Sequence, residues 1–321
     1  MRLSLVIPVH DDAEGLAQLL RQAAALGCVD QAVVVDDASE PPVVLPEVGV
    51  ETILLRVPQQ RGAGHARNLG LAHVTGTHVL FFDADDRLTP ELPGLLAALS
   101  GQDFDFALFR HADSMVEAGG GFGPAGFDER HWHAAGATAR LGRLEGAQVA
   151  QMAGIAAYPW NKIYRKGFLR DHGIRCTETP VHNDIELHWM SFLHARDIRY
   201  ARAVCAVHVI APTGTRLTNR SGHERFAVFD ALAPVLAGFA QALPGEPARL
   251  RPLLVVFADF MLGLFDWITE VIAPALRPEF AARARAFLRG LPVPLYRLLA
   301  LDDPALADRI NARLRPEALP A

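Results

Sequence analysis

HVLFFDADD, residues 78–86, is a short run of bulky apolar side chains followed at once by three carboxylates in four positions. Such a run, bounded by acids, fits a strand buried within a sheet. Working outward, the same kind of segment recurs at Leu3–Ile7, Ala32–Val35, Thr52–Leu55 and Phe104–Phe109. Between these lie helical patterns. Leu16, Leu19, Leu20, Ala23 and Ala24 recur at helical spacing after a capping-box pair, Asp11 and Glu14, and Ala63–His73 and Pro90–Leu99 read as two more helices. Strands alternating with helices predict a doubly wound, mainly parallel α/β sheet.

The 321 residues exceed one ordinary domain. Half are hydrophobic, ample for a core and unlike a disordered chain. A formal charge of −5 offers no basic excess to follow a phosphate backbone, which argues against a nucleic-acid partner. Cys28, Cys176 and Cys205 stand far apart with no CxxC pair, so neither a disulfide framework nor a cysteine zinc site is expected. The opening MRLSLVIPVHDD is too short in apolar length for a signal peptide, and the expectation is a soluble, cytoplasmic protein.

Residues 111–144, with seven glycines and His131-Trp132-His133, read as irregular. Beyond them, Asn161–His172 and Asp184–Ala195 are expected around helices and Ala203–Ile210 as a strand. From Gly222 the pattern is helical and punctuated by proline, so a boundary is placed between residues 1–222 and a helical region, 223–321. Leu253–Leu276 is apolar but carries Asp259, Asp266 and Glu270, and is expected to be a buried helix.

In open α/β sheets, ligands collect beyond the carboxyl ends of the strands. Here three strands are followed by acids: Asp11 and Asp12, Asp36 and Asp37, and Asp83, Asp85 and Asp86. Helix capping explains one acid per loop, not three in four positions. An Asp-x-Asp at a strand end suits a hard cation, Mn²⁺ or Mg²⁺, bridging to a diphosphate. Asp36 and Asp37 offer acceptors for the nucleoside half of such a ligand. Asp184 opens a predicted helix after Thr179-Pro180 and is a candidate general base, or simply its cap.

LSLVIPVHDD, VVVDDAS, RGAGHARNLG and FFDADD, followed by Asn161-Lys162-Ile163-Tyr164-Arg165 and Asn183-Asp184, resemble in order the motifs of the inverting family 2 glycosyltransferases of GT-A fold. The resemblance covers about residues 1–220. It implies that Pro8, Val9 and Asp11 start the nucleotide pocket, and that Asp36 and, less directly, Asp37 hold base and ribose. Arg67 and Asn68 would line the nucleotide, and Asp83, Ala84 and Asp85 would form the metal and sugar-ribose motif. Asp85 would be the better metal ligand, Asp86 an auxiliary and His208 a third ligand. Asp184 would be the general base. Departures from the family pattern stand at His10-Asp11, Ala38-Ser39 and Asn183, where members usually show Tyr-Asn, Gly-Ser and Glu.

The implied reaction is transfer from a nucleoside-diphosphate-sugar, most commonly a UDP-sugar, to a hydroxyl acceptor such as a lipid-linked glycan, in surface polysaccharide or glycoconjugate synthesis. The alternatives are an inactive nucleotide-binding scaffold or a phospho-polyol or nucleotidyl transferase of the same fold. Trp160, beside Asn161 and Lys162, is either an acceptor-stacking residue or core. Arg216 belongs to a closing segment or a solvated loop. Gly62-Ala63-Gly64-His65-Ala66-Arg67 lacks the third glycine of a dinucleotide fingerprint. The C-terminal arginines either solvate a helical bundle, which caps the sheet or forms a homodimer, or meet an anionic membrane surface at its inner face.

Overall fold

The computed structural model describes residues 1–118, 126–209 and 220–315. The chain runs β1 (Leu3–Val9), α1 (Ala13–Leu26), β2 (Gln31–Asp36), β3 (Glu51–Arg56), α2 (Ala63–Ala72), β4 (His78–Phe81), β5 (Arg87–Leu88), α3 (Leu92–Leu99) and β6 (Phe106–Asp113). Next come α4 (Ser114–Ala118), α5 (Gly126–Ala134), β7 (Leu141–Arg143), α6 (Ala147–Ala153), β8 (Lys162–Arg165), α7 (Lys166–Asp171), α8 (Ile185–His194) and β9 (Ile198–His208). Five helices close the described chain: α9 (Val228–Ala242), α10 (Pro247–Val271), α11 (Arg277–Arg289), α12 (Val293–Asp302) and α13 (Pro304–Leu314).

The strands form one sheet in the order β3-β2-β1-β4-β8-β6-β9-β5, with β7 also on β9. β1 to β4 pair in parallel and β6 is parallel to β9, while β8 runs antiparallel between β4 and β6. β1 is buried along its whole length, as a central strand covered on both faces must be. Its period-2 alternation sends Leu3, Leu5, Ile7 and Val9 into a core with α1 and α3, and Val6 into a second core on the opposite face. That second core continues through α8 into α9 and α10, so the C-terminal helices share the hydrophobic interior of the sheet.

Four local expectations are corrected. Asn161–His172 opens as strand β8, because Tyr164 pairs with both Val79 and Phe106; helix begins only at Lys166. Long-range pairing overrides the local pattern there. Within 111–144, β6 extends to Asp113, and α5 and β7 are regular. β9 starts at Ile198, and Ile210 lies outside the described residues. Asp12, not Asp11, caps α1, accepting from Gly15 N at 2.9 Å.

All three cysteines are free thiols. By length and composition, His223–Ala242 and Pro247–Val271 could each cross a membrane, yet about half of each apolar window is packed inside the fold. Among the described arginines of this region, Arg251 pairs with Asp302, Arg309 with Asp259 and Arg313 with Asp266, lacing the helices to one another.

Candidate active site

Register brings the acids to one edge. Val9 sits opposite Asp36 across β1 and β2, Asp37 N donates to Val9 O at 2.8 Å, and Phe82 N donates to Val6 O at 2.9 Å. The loops after β1, β2 and β4 therefore leave the sheet together. His208 ends β9 at the same edge, level with Asp113 of β6.

The acids nevertheless do different jobs. Asp36 is 0% exposed; Oδ1 accepts from Ser39 N at 2.8 Å, and Oδ2 accepts from Arg56 Nη1 at 2.7 Å and Val43 N at 3.3 Å. Burial would raise its pKa, but the hydrogen bonds from Ser39 and Val43 and the Arg56 guanidinium outweigh it and lower the carboxyl. Asp37 gives one oxygen to Arg61 N (2.8 Å) and the other to Gly62 N (2.7 Å), fixing the entry to α2. Asp36 is thus enclosed by donors of its own fold, and Asp37 anchors the loop into α2. Pro8 and Val9 are buried in β1 and back the edge rather than line it. Asp11 stays exposed, held by Glu40 N at 2.8 Å. The Asn68 amide exchanges hydrogen bonds with the backbone of Cys176, at 2.9 Å each way, and staples the 176–178 loop to α2.

Arg67 is the hinge of the arrangement. Almost wholly buried, it donates from Nη2 to Asp83 Oδ1 at 2.5 Å and from Nη1 to Asn183 Oδ1 at 2.6 Å. One guanidinium fork thereby ties the Asp-x-Asp loop to the residue before Asp184. Burial opposes its charge, but Asp83 first and Asp184 further on hold it protonated. The approach needs Gly64: a Cβ there would lie 2.1 Å from Thr177 O and 2.8 Å from Asn183 Cβ. Asn183, where the family pattern has a carboxylate, presents a neutral oxygen to the fork.

Asp184 is half-buried at the start of α8. Its pKa is raised, chiefly by burial; Arg67 opposes the rise, Asp83 adds to it and Lys162 opposes it. A carboxyl raised in this way, beside two cations, is the electrostatic profile of a proton acceptor. No side-chain capping bond is formed by Asp184, so the bland role of helix cap does not account for it.

Asp85 is exposed, while Ala84 is buried and its carbonyl packs against the first turn of α1, 2.8 Å from where a Gly15 Cβ would stand. Asp86 is buried and accepts from Val209 N (2.8 Å) and pairs with His208 Nδ1 (3.1 Å), so it orients the imidazole rather than facing a ligand. This leaves Nε2 of His208 as the nitrogen available to a metal. Among the described residues, no three acids, histidines or cysteines form a cage able to hold an ion alone. Asp83 and Asp85 still fit Mn²⁺ or Mg²⁺, which take one or two carboxylates and complete their shell with diphosphate oxygens.

The aromatic wall departs from expectation. Trp160 is 1% exposed, stacked on Tyr158 (4.5 Å between centroids) and facing His208 (5.3 Å), so it is core and offers no acceptor platform. Asn161 and Lys162 are also buried, and neither lines a surface. Lys162 Nζ donates to Tyr158 O (2.8 Å) and Asn161 Oδ1 (2.6 Å). Burial pushes its pKa down to about 7, against the pull of Asp128 and Asp184. Arg216 lies outside the described residues. Sequence reasoning missed the Asp86–His208 clamp and the role of Asn183. Only their adjacency to motif residues could have signalled them.

Known proteins share this frame. Residues 4–172, more than half the chain, match the family described as glycosyl transferase family 2. The chain is 25% identical over 240 residues to "Uncharacterized glycosyltransferase YwdF" of Bacillus subtilis, covering 73% of this chain and 83% of that protein. It is 29% identical over 210 residues to "Pre-mycofactocin glycosyltransferase" of Mycobacterium tuberculosis, covering 64% of this chain but only 42% of that protein. Among solved structures, S. aureus TarS 1–349 in complex with UDP-GlcNAc superposes with a TM-score of 0.72 at 17% identity, covering 98% of this chain and 88% of that one. The mannosyltransferase PcManGT of Pyrobaculum calidifontis, in complex with GDP-Man and Mn²⁺, gives 0.53 at 16% identity, covering 97% and 85%. At such identities these two establish the GT-A-like fold alone. With the family match spanning β1 to α7 and the acids standing where the fold gathers its ligands, the chain belongs to glycosyl transferase family 2 and is a glycosyltransferase.

Proposed function

We propose that this enzyme transfers a sugar with inversion from a nucleoside-diphosphate-sugar to a hydroxyl acceptor, with metal dependence and with Asp184 as general base. The observation that carries the reading is the Arg67 fork, which holds the Asp-x-Asp loop and the Asn183-Asp184 segment together. In this reading residues 1–222 form the donor-dependent unit and 223–321 a helical region packed on its sheet. Asp83 and Asp85, with the donor's diphosphate oxygens and with His208 as a further candidate ligand, would hold Mn²⁺ or Mg²⁺, which would supply positive charge for the departing diphosphate.

The chain's own groups do the rest. The raised carboxylate of Asp184 accepts the proton of the acceptor hydroxyl as its oxygen bonds to the anomeric carbon. The bond from that carbon to the diphosphate oxygen breaks on the opposite face, and the electron pair leaves with the nucleoside diphosphate. Asp184 then returns its proton to water. The buried charge of Arg67 steadies the ionised base, and the Asp86–His208 clamp fixes the imidazole. The UDP-GlcNAc and GDP-Man complexes of the structural neighbours support a nucleotide-sugar donor, UDP-linked in our reading. A lipid-linked glycan remains the proposed acceptor class.

Thermal stabilisation across a panel of UDP- and GDP-sugars, with and without Mn²⁺, tests the reading. One donor class stabilising the protein only with Mn²⁺, and slowly hydrolysed with release of the diphosphate, is the expected result. Stabilisation by none of them, or release of a nucleoside monophosphate, would overturn it.

A further inference from the structure

Trp267, on α10, stands out among the tryptophans: Trp132, Trp160 and Trp189 are 4%, 1% and 0% exposed, whereas Trp267 is 37% exposed. It is not adrift on the surface. Its ring meets His182 nearly at right angles, with centroids 6.2 Å apart, and His182 lies two residues before Asp184. Arg225 stacks over the indole, 4.7 Å from the centroid, and its own Nε donates to Arg220 O at 2.8 Å. Ala273 N donates to Ser221 O at 2.8 Å, tying the end of α10 to the same segment. His182 itself adopts a left-handed backbone, φ 61°, which turns the chain sharply into Asn183 and Asp184. Burial, with Arg225 adding to it, pushes its imidazole down to about 3, so a neutral ring abuts the indole.

We infer that Trp267 is an acceptor-binding residue, a fixed aromatic platform on which a pyranose ring of the acceptor glycan lies while its hydroxyl reaches Asp184. The inference rests on the reading of Asp184 as base. A pyranose carries a face of weakly positive C–H groups, and the part of the indole that Arg225 leaves uncovered is the complementary surface. Three features of the site agree. The ring is oriented by Arg225 and His182 before any ligand arrives, which lowers the cost of binding. It retains open surface. It comes from α10, outside the strand-end loops that carry the acids, and reaches the segment before Asp184 through His182. The C-terminal helices thereby gain a part in substrate choice.

The test uses the full chain with methyl β-D-glucopyranoside, methyl β-D-N-acetylglucosaminide and methyl α-D-mannopyranoside as probes. Acrylamide quenching of tryptophan emission reports on Trp267, since the other three indoles are buried. A bound glycoside is expected to shield that emission. Measured by calorimetric titration, which does not depend on the indole, Trp267→Ala should raise the glycoside Kd roughly three- to tenfold, the range of an aromatic stacking contact, and Trp267→Phe should recover much of it. An unchanged Kd in Trp267→Ala, quenching indifferent to the glycoside, or no binding of any probe would each overturn the inference. An equal rise in the Kd of UDP would overturn it as well, placing Trp267 on the donor side. Asp184→Asn separates the two claims: if it left donor hydrolysis intact, the base reading would fail even though glycosides still shielded Trp267.

Discussion

Replacing Arg67 by methionine removes the fork while keeping most of its apolar volume. Two hydrogen bonds are lost, at 2.6 Å to Asn183 and 2.5 Å to Asp83. Charge-assisted bonds of this kind contribute about 1.5–3 kcal/mol each. Asp83 is 29% exposed at its side chain, so water re-solvates it, and methionine escapes the burial cost of a guanidinium. The net loss is then about 1–3 kcal/mol, or a fall in Tm of roughly 2–9 °C for a chain of this size. The electrostatic consequence is separate. Arg67 opposes the upward shift of Asp184, so its removal raises that pKa further. A base works only when ionised, hence the acidic limb of the pH profile of donor hydrolysis moves to higher pH. Urea unfolding measures the first effect and initial rates across pH the second. Arg67→Lys serves as control: it keeps the charge, and so the limb, but not the two-pronged geometry. An Arg67→Met enzyme with its acidic limb unmoved, or shifted to lower pH, would refute the coupling.

Asp184→Asn should lower turnover by about 10²- to 10⁴-fold, measured as transfer or donor hydrolysis with UDP affinity retained. The same change should leave thermal stability at pH 7 equal or higher. A carboxyl whose folded pKa is raised binds its proton more tightly when folded, so stability falls as pH rises from the unfolded toward the folded value, and the amide abolishes that fall. Asp85→Ala should erase the gain in UDP affinity conferred by Mn²⁺, read by calorimetry. Ala38 holds φ 63° where the family pattern has glycine; Ala38→Gly should stabilise by about 0.5–1 kcal/mol in urea unfolding, as left-handed strain of about 1–2 kcal/mol is relieved against a more flexible unfolded chain.

The alternation of β1, β2 and β4 with α1 and α2 was legible because each strand is central, and a strand covered on both faces must be apolar throughout. β8 was not, since Lys162–Arg165 becomes a strand only by inserting between two partners distant in sequence. For the same reason residue type located the acids but not their roles. Asp36 and Asp37 read as ligand groups because carboxylates at a strand end are chemically open to that use; the donors that also hold them within the fold, Ser39, Arg61 and Gly62, come from loops that no local pattern places beside them. Trp160 and Trp267 show the converse. The motif pointed to the first, which the fold hides behind Tyr158 and His208, while nothing in the pattern of α10 distinguishes the second from its apolar neighbours.

Everything turns on whether Asp83 and Asp85 face a metal–diphosphate group with Asp184 across from it. A crystal of the protein with Mn²⁺ and UDP, recorded at the manganese absorption edge, answers that directly. The account predicts one anomalous peak within ~2.2 Å of an Asp85 oxygen and of the diphosphate, the Asp184 carboxylate bordering the space beyond the β-phosphate. A peak bound elsewhere, or UDP seated away from Asp83 and Asp184, contradicts it.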